Sequence, residues 1–479
     1  MKRRTFFKSA AVLAFGSLAA KGIGALYRIA LAGLLGGYGT GLYQMAYPLF
    51  VLLITFSSSG IPSAFSRMIA RETALGRESG EWVRAALKLF SLIGLVASAL
   101  MCLIAPAMSS LQGDRNLLRC YLALAPSVFF VALISVLRGY FQGKNDMVPT
   151  ALSEVAEQLV KAGAGLFFAV RFSAEPEKAV ACALGAVTLS EAVAFAMLLF
   201  RYRAEGKARF LSAGRRSGLS VLSAALPVML SVAILPLSQT ADSIIVVRLL
   251  SRHSARAVSL YGLLAGAVSS LVSLPVSLSC GISAASVPAV SSAVARGEGE
   301  EGKRRAFLAL FTAFALSFPC ALALFFFARP IAGLLYSSLS PADLEILVTL
   351  LRLSALSAVT LSCVETLSAC LAGMGRAKFA ALSMLIAVCV KAALQFALVP
   401  DPALSVGGAA IAANVCYLVA FFLDLVYTVK KKTGRKRHDH DRKSGNGERR
   451  ADGARPQSIE ECGRSACAKR AAPLGGESG

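Results

Sequence analysis

Charge is scarce in this sequence, and negative charge is scarcer. Only 16% of the 479 residues are charged and 56% are hydrophobic, whereas soluble globular domains carry about 25% charged residues. No soluble core of ordinary size hides that much apolar side chain. Histidine occurs three times, as His253, His438 and His440, and no Ser or Cys stands with a His and an acid in a nucleophile motif. A phosphate-cradling glycine loop is also missing, which argues against direct ATP drive. The eleven cysteines include no CxxC pair and no Cys/His cluster, so they read as small apolar packing residues. These absences exclude the common enzyme classes and leave no expected cofactor or metal site.

What the chain has is apolar length. Twelve segments, at 10–35, 43–65, 85–107, 118–137, 149–170, 179–200, 219–247, 257–290, 306–328, 344–371, 379–399 and 406–429, are each long enough to cross about 30 Å of hydrocarbon as a helix. The expected fold class is an all-α polytopic membrane protein. Lys and Arg outnumber Asp and Glu by 50 to 27, for a net charge of +23. The basic residues lie in the gaps between segments and in the tail, which reads as topology and contact with anionic lipid rather than nucleic-acid binding. Arg3 and Arg4 resemble a twin-arginine export signal. Because the following chain stays apolar, this basic cluster is read instead as fixing the N-terminus in the cytoplasm. Twelve crossings then place both ends inside. The basic run with Arg201, Arg203, Lys207, Arg209, Arg215 and Arg216 is the best join between halves. This divides the chain into a six-helix lobe at 1–205, a basic cytoplasmic linker at 206–218, a second six-helix lobe at 219–429 and a disordered basic cytoplasmic tail at 430–479.

The halves echo each other. Ser66–Arg71 ends the second segment much as Ser291–Arg296 ends the eighth. Gly143-Lys144 precedes the fifth segment as Gly375-Arg376 precedes the eleventh, and Lys161 matches Lys391 in position. A six-segment unit repeated in one orientation gives two bundles about an axis along the membrane normal.

Charges at membrane depth are costly and usually face a cavity or a partner. Lys21 and Arg28 are seven apart, on one helix face, with no acid nearby in sequence, which suits a cavity for an anionic substrate. Glu154, Glu157 and Lys161 are spaced three and four apart, so they share a stripe and can pair with each other; an internal salt bridge and a lined cavity both fit. Gln239 and Asp242 follow Pro236, an arrangement that suits an ion site, a hinge or a packing kink. Glu191, Glu365 and Lys391 complete the set.

The runs 21–36, with Lys21, Tyr27 and Arg28, 39–48, with Tyr43, Gln44 and Tyr47, and 60–66, with Pro62, resemble the stage V sporulation protein B family of polysaccharide exporters. That family belongs to the MOP (multidrug/oligosaccharidyl-lipid/polysaccharide) flippase superfamily. The similarity continues through 138–143, Pro149 with Glu154 to Lys161, and 239–242, and spans nearly the whole membrane part. It implies a MATE-like fold, with two six-helix bundles around a central V-shaped cavity, and export of undecaprenyl-pyrophosphate-linked saccharides such as lipid II in cell-wall or spore-cortex synthesis. By that resemblance Arg28, assisted by Lys21 and Lys161, would hold the pyrophosphate, and Asp242, Glu154, Glu157 and Gln239 would be coupling or cavity residues. Implied partners are the lipid-linked oligosaccharide, anionic lipids and peptidoglycan-synthesis enzymes. Many relatives carry fourteen spans where this chain has twelve. The competing readings are a multidrug exporter of the same superfamily, whose cationic cargo would want an acidic cavity, and a scaffold that recruits wall-synthesis enzymes.

Overall fold

The computed structural model describes residues 3–77, 79–205, 232–337 and 339–429, together with Leu222, Leu226 and Met229. The expected linker at 206–218 and tail at 430–479 lie outside the described residues. The described residues are helical throughout, with no strand among them. In chain order the helices are α1 (Arg3–Ser58), α2 (Ile61–Ala74), α3 (Gly80–Gln112), α4 (Leu117–Gly143), α5 (Val148–Arg171), α6 (Pro176–Ala204), α7 (Ile234–Leu250), α8 (Ala257–Ala295), α9 (Gly299–Phe326), α10 (Ala328–Leu335), α11 (Pro341–Gly373), α12 (Ala377–Leu398) and α13 (Val406–Val429).

The helix ends follow local chemistry. Pro341 opens α11 behind Ser340, whose hydroxyl accepts from the Asp343 amide at 3.2 Å, a hydroxyl cap with proline in the first turn. Gly113 closes α3 in the left-handed conformation, at φ 82°, which glycine adopts without a Cβ penalty. Gly36 divides α1 at φ 65°, ψ −174°, a backbone region essentially restricted to glycine. The two arms double back there. Thr40 Oγ1 donates to the Ala32 carbonyl at 3.4 Å across eight residues, a separation that a straight helix would stretch to about 12 Å. The turn between the first two segments is therefore one residue, and 37–41 already belong to the second arm.

Nine stretches among the described residues are long and apolar enough to cross a membrane. The first, Phe15–Ala74, runs through both arms of α1. α5 is not among the nine because Glu154, Glu157 and Lys161 interrupt it, and the described part of α7 is 17 residues long. With these restored, the order of crossings follows the twelve expected segments. Large apolar residues such as Leu103, Phe200, Phe326 and Leu334 stand exposed, as suits a surface whose solvent is lipid.

Packing separates the chain into two six-crossing bundles. α5 lies on α6, α3 and α6 on α4, and the first arm of α1 on α5; in the second half α8, α9 and α13 pack around α11, and α12 packs on α13. Between the bundles, the second arm of α1 rests on the start of α8. A Cβ added at Gly41 would stand 2.2 Å from the Val258 carbonyl oxygen, and one at Gly262 would stand 2.3 Å from the Gly37 carbonyl oxygen. Glycine on both sides is what lets these backbones touch. Two polar contacts close the same end: Gln112 Nε2 donates to Ser243 Oγ at 2.8 Å, and Arg248 Nε donates to the Leu111 carbonyl at 2.6 Å. At the opposite end of the first bundle Lys144 pairs with Glu205, just beyond α6. Burial pushes the Glu205 carboxyl up, but hydrogen bonds from Lys144 and Tyr140 outweigh it and hold the group below its usual value.

Candidate functional site: a cavity between the two bundles

A cavity of about 410 Å³ lies between the first helix pair and the second bundle. Its wall is built from both arms of α1, from α7, from α8 and from α11 to α13. Arg28 comes from the first arm, and Tyr43, Gln44 and Tyr47 from the second. The Tyr43 and Tyr47 rings stack at 5.4 Å between centroids. α8 contributes Leu264, Ala265 and Val268 from a single π-helical segment, Leu263–Val268, the kind of local widening that often marks a functional position.

The cavity holds three charged side chains among the described residues: Arg28, Asp242 and Lys391. Lys391 Nζ donates to Asp242 Oδ2 and to Ser238 Oγ, each at 2.6 Å, and Gln395 Nε2 donates to Asp242 Oδ1 at 2.9 Å. One turn of α7 and one turn of α12 thus hold the acid between an ammonium and an amide. Arg28 is exposed to the cavity and has no ion-pair partner among the described residues. Gln239 is exposed on the same wall. Pro236 is the third residue of α7, and the Ala233 amide just before the helix donates to the Met229 carbonyl at 3.0 Å.

The other residues singled out by sequence lie elsewhere. Lys21 is exposed two turns before Arg28, and Glu365 on α11 feels its charge. Glu154 accepts from Ser17 Oγ at 2.6 Å. Glu157 pairs with Arg138 at 3.0 Å, so of the pairings open to the α5 stripe it takes one from a neighbouring helix rather than Lys161. Arg138 sits on the neighbouring helix α4, and its Nε also donates to Ser153 Oγ at 3.1 Å. Lys161 and Glu157 both act on the buried carboxylate of Glu191 on α6. The structure therefore joins Arg28, Gln239 and Asp242 in one cavity and gathers Glu154, Glu157 and Lys161 into a separate cluster inside the first bundle.

Sequence reasoning did not assign Lys391, Ser238 or Gln395 to the site. Lys391 was visible as an intramembrane charge, but its acid lies 149 residues away. Asp424 was missed altogether. It is buried near the end of α13 and accepts from Ser368 Oγ at 2.7 Å and from Ser383.

Two helical bundles around a central cavity define a MATE-like membrane fold. The profile described as "Polysaccharide biosynthesis protein" matches residues 6–294, and the one described as MatE matches residues 227–397. The chain belongs to the polysaccharide biosynthesis protein family. It is 29% identical over 428 residues to stage V sporulation protein B of Bacillus subtilis, covering 86% of this chain and 81% of that one. Among solved structures it superposes on an inward-facing multidrug resistance MATE transporter with TM-score 0.69 at 16% identity, covering 85% of this chain and 93% of the other. It superposes equally well, at TM-score 0.69 and 16% identity, on the lipid II flippase MurJ in an inward closed conformation, covering 88% of each.

Proposed function

We propose that this protein is a flippase for an undecaprenyl-pyrophosphate-linked saccharide of the lipid II type, acting in the bacterial cytoplasmic membrane with both termini inside. The observation that carries the reading is Arg28: a cation without a counter-ion among the described residues, on the wall of a cavity between two bundles. An unpaired charge at membrane depth is costly, so its retention favours a ligand that supplies the opposite charge. A guanidinium presents a planar fork that matches phosphate oxygens. The pyrophosphate would sit against Arg28, the sugars would fill the polar part of the cavity, and the polyprenyl tail would stay in lipid. Lys21, two turns toward the cytoplasmic end, would meet the headgroup on entry, Gln239 on the same wall is assigned to the same path, and Lys161, inside the first bundle, would add positive charge from outside the cavity. Asp242 is the candidate coupling acid, with Glu154 and Glu157 as a second group. The lobes at 1–205 and 219–429 would rock about the seam between α1 and α8, which in this topology faces outward.

Proteoliposomes test the assignment. Arg28→Ala is expected to lower translocation of lipid II by about tenfold or more, the scale of one charge-assisted hydrogen bond, and Arg28→Lys to recover part of it. A multidrug exporter would respond the other way: removing the cation would leave efflux of a cationic dye intact or raise it. Wild-type lipid II translocation that Arg28→Ala leaves unchanged contradicts the assignment.

A further inference from the structure

The three charges of the cavity do not balance. Among the described residues of its wall, Arg28 and Lys391 are positive and Asp242 is negative, which leaves one positive charge uncompensated. A pyrophosphate diester brings a negative charge on each of its two phosphates. Bound beside all three groups, it would leave one negative charge in excess, and at this depth an excess charge is expensive.

Two details show how the excess is relieved. Lys391 is only 8% exposed, yet an ammonium has three donors, and its partners among the described residues are Ser238 and Asp242. One N–H remains for a ligand. Gln395 is 2% exposed, and its Oε1 is buried without a hydrogen-bond partner, while its Nε2 donates to Asp242. An idle acceptor on an amide already touching the carboxylate is what a protonated carboxyl needs. Rotation of the amide about its last torsion would exchange N–H···O for O···H–O.

We infer that the Asp242–Lys391 ion pair is an exchangeable placeholder for the substrate: the pyrophosphate headgroup takes Lys391 together with Arg28, and Asp242, released from its counter-ion, takes up and keeps a proton and donates a hydrogen bond through it to Gln395 Oε1. The balance is complete. Two cations face two phosphate charges, and the acid is neutral. Binding one headgroup takes up one proton from water, and releasing it restores the ion pair and returns the proton. Other titratable groups acting on Asp242 or Lys391 are Tyr261 on α8 and Cys416 and Tyr417 on α13. Arg28, Tyr43 and Tyr47 face the same cavity from α1. Of all these, Asp242 is the carboxyl group held by a partner the ligand would remove. The inference rests on the proposed function for the identity of the headgroup, and assigns Lys391, Asp242 and Gln395 their parts in its recognition.

Because the bound state holds one more proton than the free state, affinity rises as pH falls. The test is equilibrium binding to the full-length protein in lipid nanodiscs, from mildly acidic to mildly alkaline pH, of two probes: lipid II and a soluble nucleoside-diphosphate sugar. Wild type is expected to bind lipid II about tenfold more weakly per pH unit within the linked range. Asp242→Asn should bind about tenfold more tightly at alkaline pH and lose the slope. Lys391→Met should weaken binding by about tenfold, and the double variant, which leaves no unpaired buried charge, should match it with no slope. If Lys391→Met fails to fold, the double variant carries the comparison. Wild type that binds with no pH slope, or an Asp242→Asn variant that keeps the slope, overturns the exchange while leaving the flippase reading in place. Tight binding of the soluble sugar alone, with the expected slope, supports the exchange and removes the lipid from the proposed function. No binding of either probe overturns both.

Discussion

Arg138 and Glu157 illustrate how single residues stabilise this bundle. The pair spans α4 and α5 with side chains only 18% and 14% exposed, and Ser153 and Gln158 complete its hydrogen bonds. Removing one member of a pair this sheltered strands the other. Arg138→Ala leaves Glu157 beside Glu191 with only Lys161 to offset them, and is expected to cost about 3 kcal/mol of stability, read from the denaturation midpoint in detergent. Arg304→Ala, at an exposed pair 86% open on the arginine side, should change it by less than about 1 kcal/mol. Equal effects would contradict the structural role of the buried pair. At this scale the sequence disclosed which residues share a face but not which partner each would take. The three-and-four spacing of Glu154, Glu157 and Lys161 was legible. Their partners Ser17 and Arg138 arrive from other helices, 137 and 19 residues away. Asp242 and Lys391 are likewise two readable charges whose meeting is set by the packing of α7 on α12.

Elements carry the movement. The apolar runs located nearly every helix, because a span of lipid needs an uninterrupted hydrophobic stretch. The run cannot disclose the reversal confined to Gly36, the separation of α2 from the second arm at Gly60, or the π segment of α8; each is settled by backbone geometry rather than composition. The seam between α1 and α8 makes a specific prediction. A Cβ at Gly37 would lie 3.4 Å from Ser259 Cβ, close to the spacing of a disulfide. With the eleven native cysteines replaced, Gly37→Cys/Ser259→Cys should cross-link under mild oxidation and stop transport, and reduction should restore it. Adding Gly41→Leu should hold the seam open and prevent the cross-link, because that side chain would run into the Val258 carbonyl. Full transport with the cross-link in place, measured on a gel-verified sample, would show that the seam does not open during the cycle.

For the whole molecule, the repeated six-segment pattern and the resemblance carried by the first helix pair already implied two bundles around a cavity, and the structure has that architecture. Composition identified the solvent of the outer surface. The charges that interrupt the apolar pattern located the cavity wall at Arg28, Gln239 and Asp242, whereas Lys21, Lys161, Glu154 and Glu157 lie outside it. Those outlying charges were indistinguishable from cavity residues in sequence, since an intramembrane charge is equally well accommodated by a cavity or by a partner on a neighbouring helix. The central claim is that the cavity carries an anionic lipid-linked head across the bilayer. Its most direct test is leaflet exchange of lipid II in vesicles holding the purified wild-type protein, followed by an impermeant reagent that modifies only outward-facing headgroups. The account predicts that the protected pool becomes reactive at a rate that rises with protein content. A protected pool that stays protected, in vesicles where the protein is folded and inserted, would contradict it.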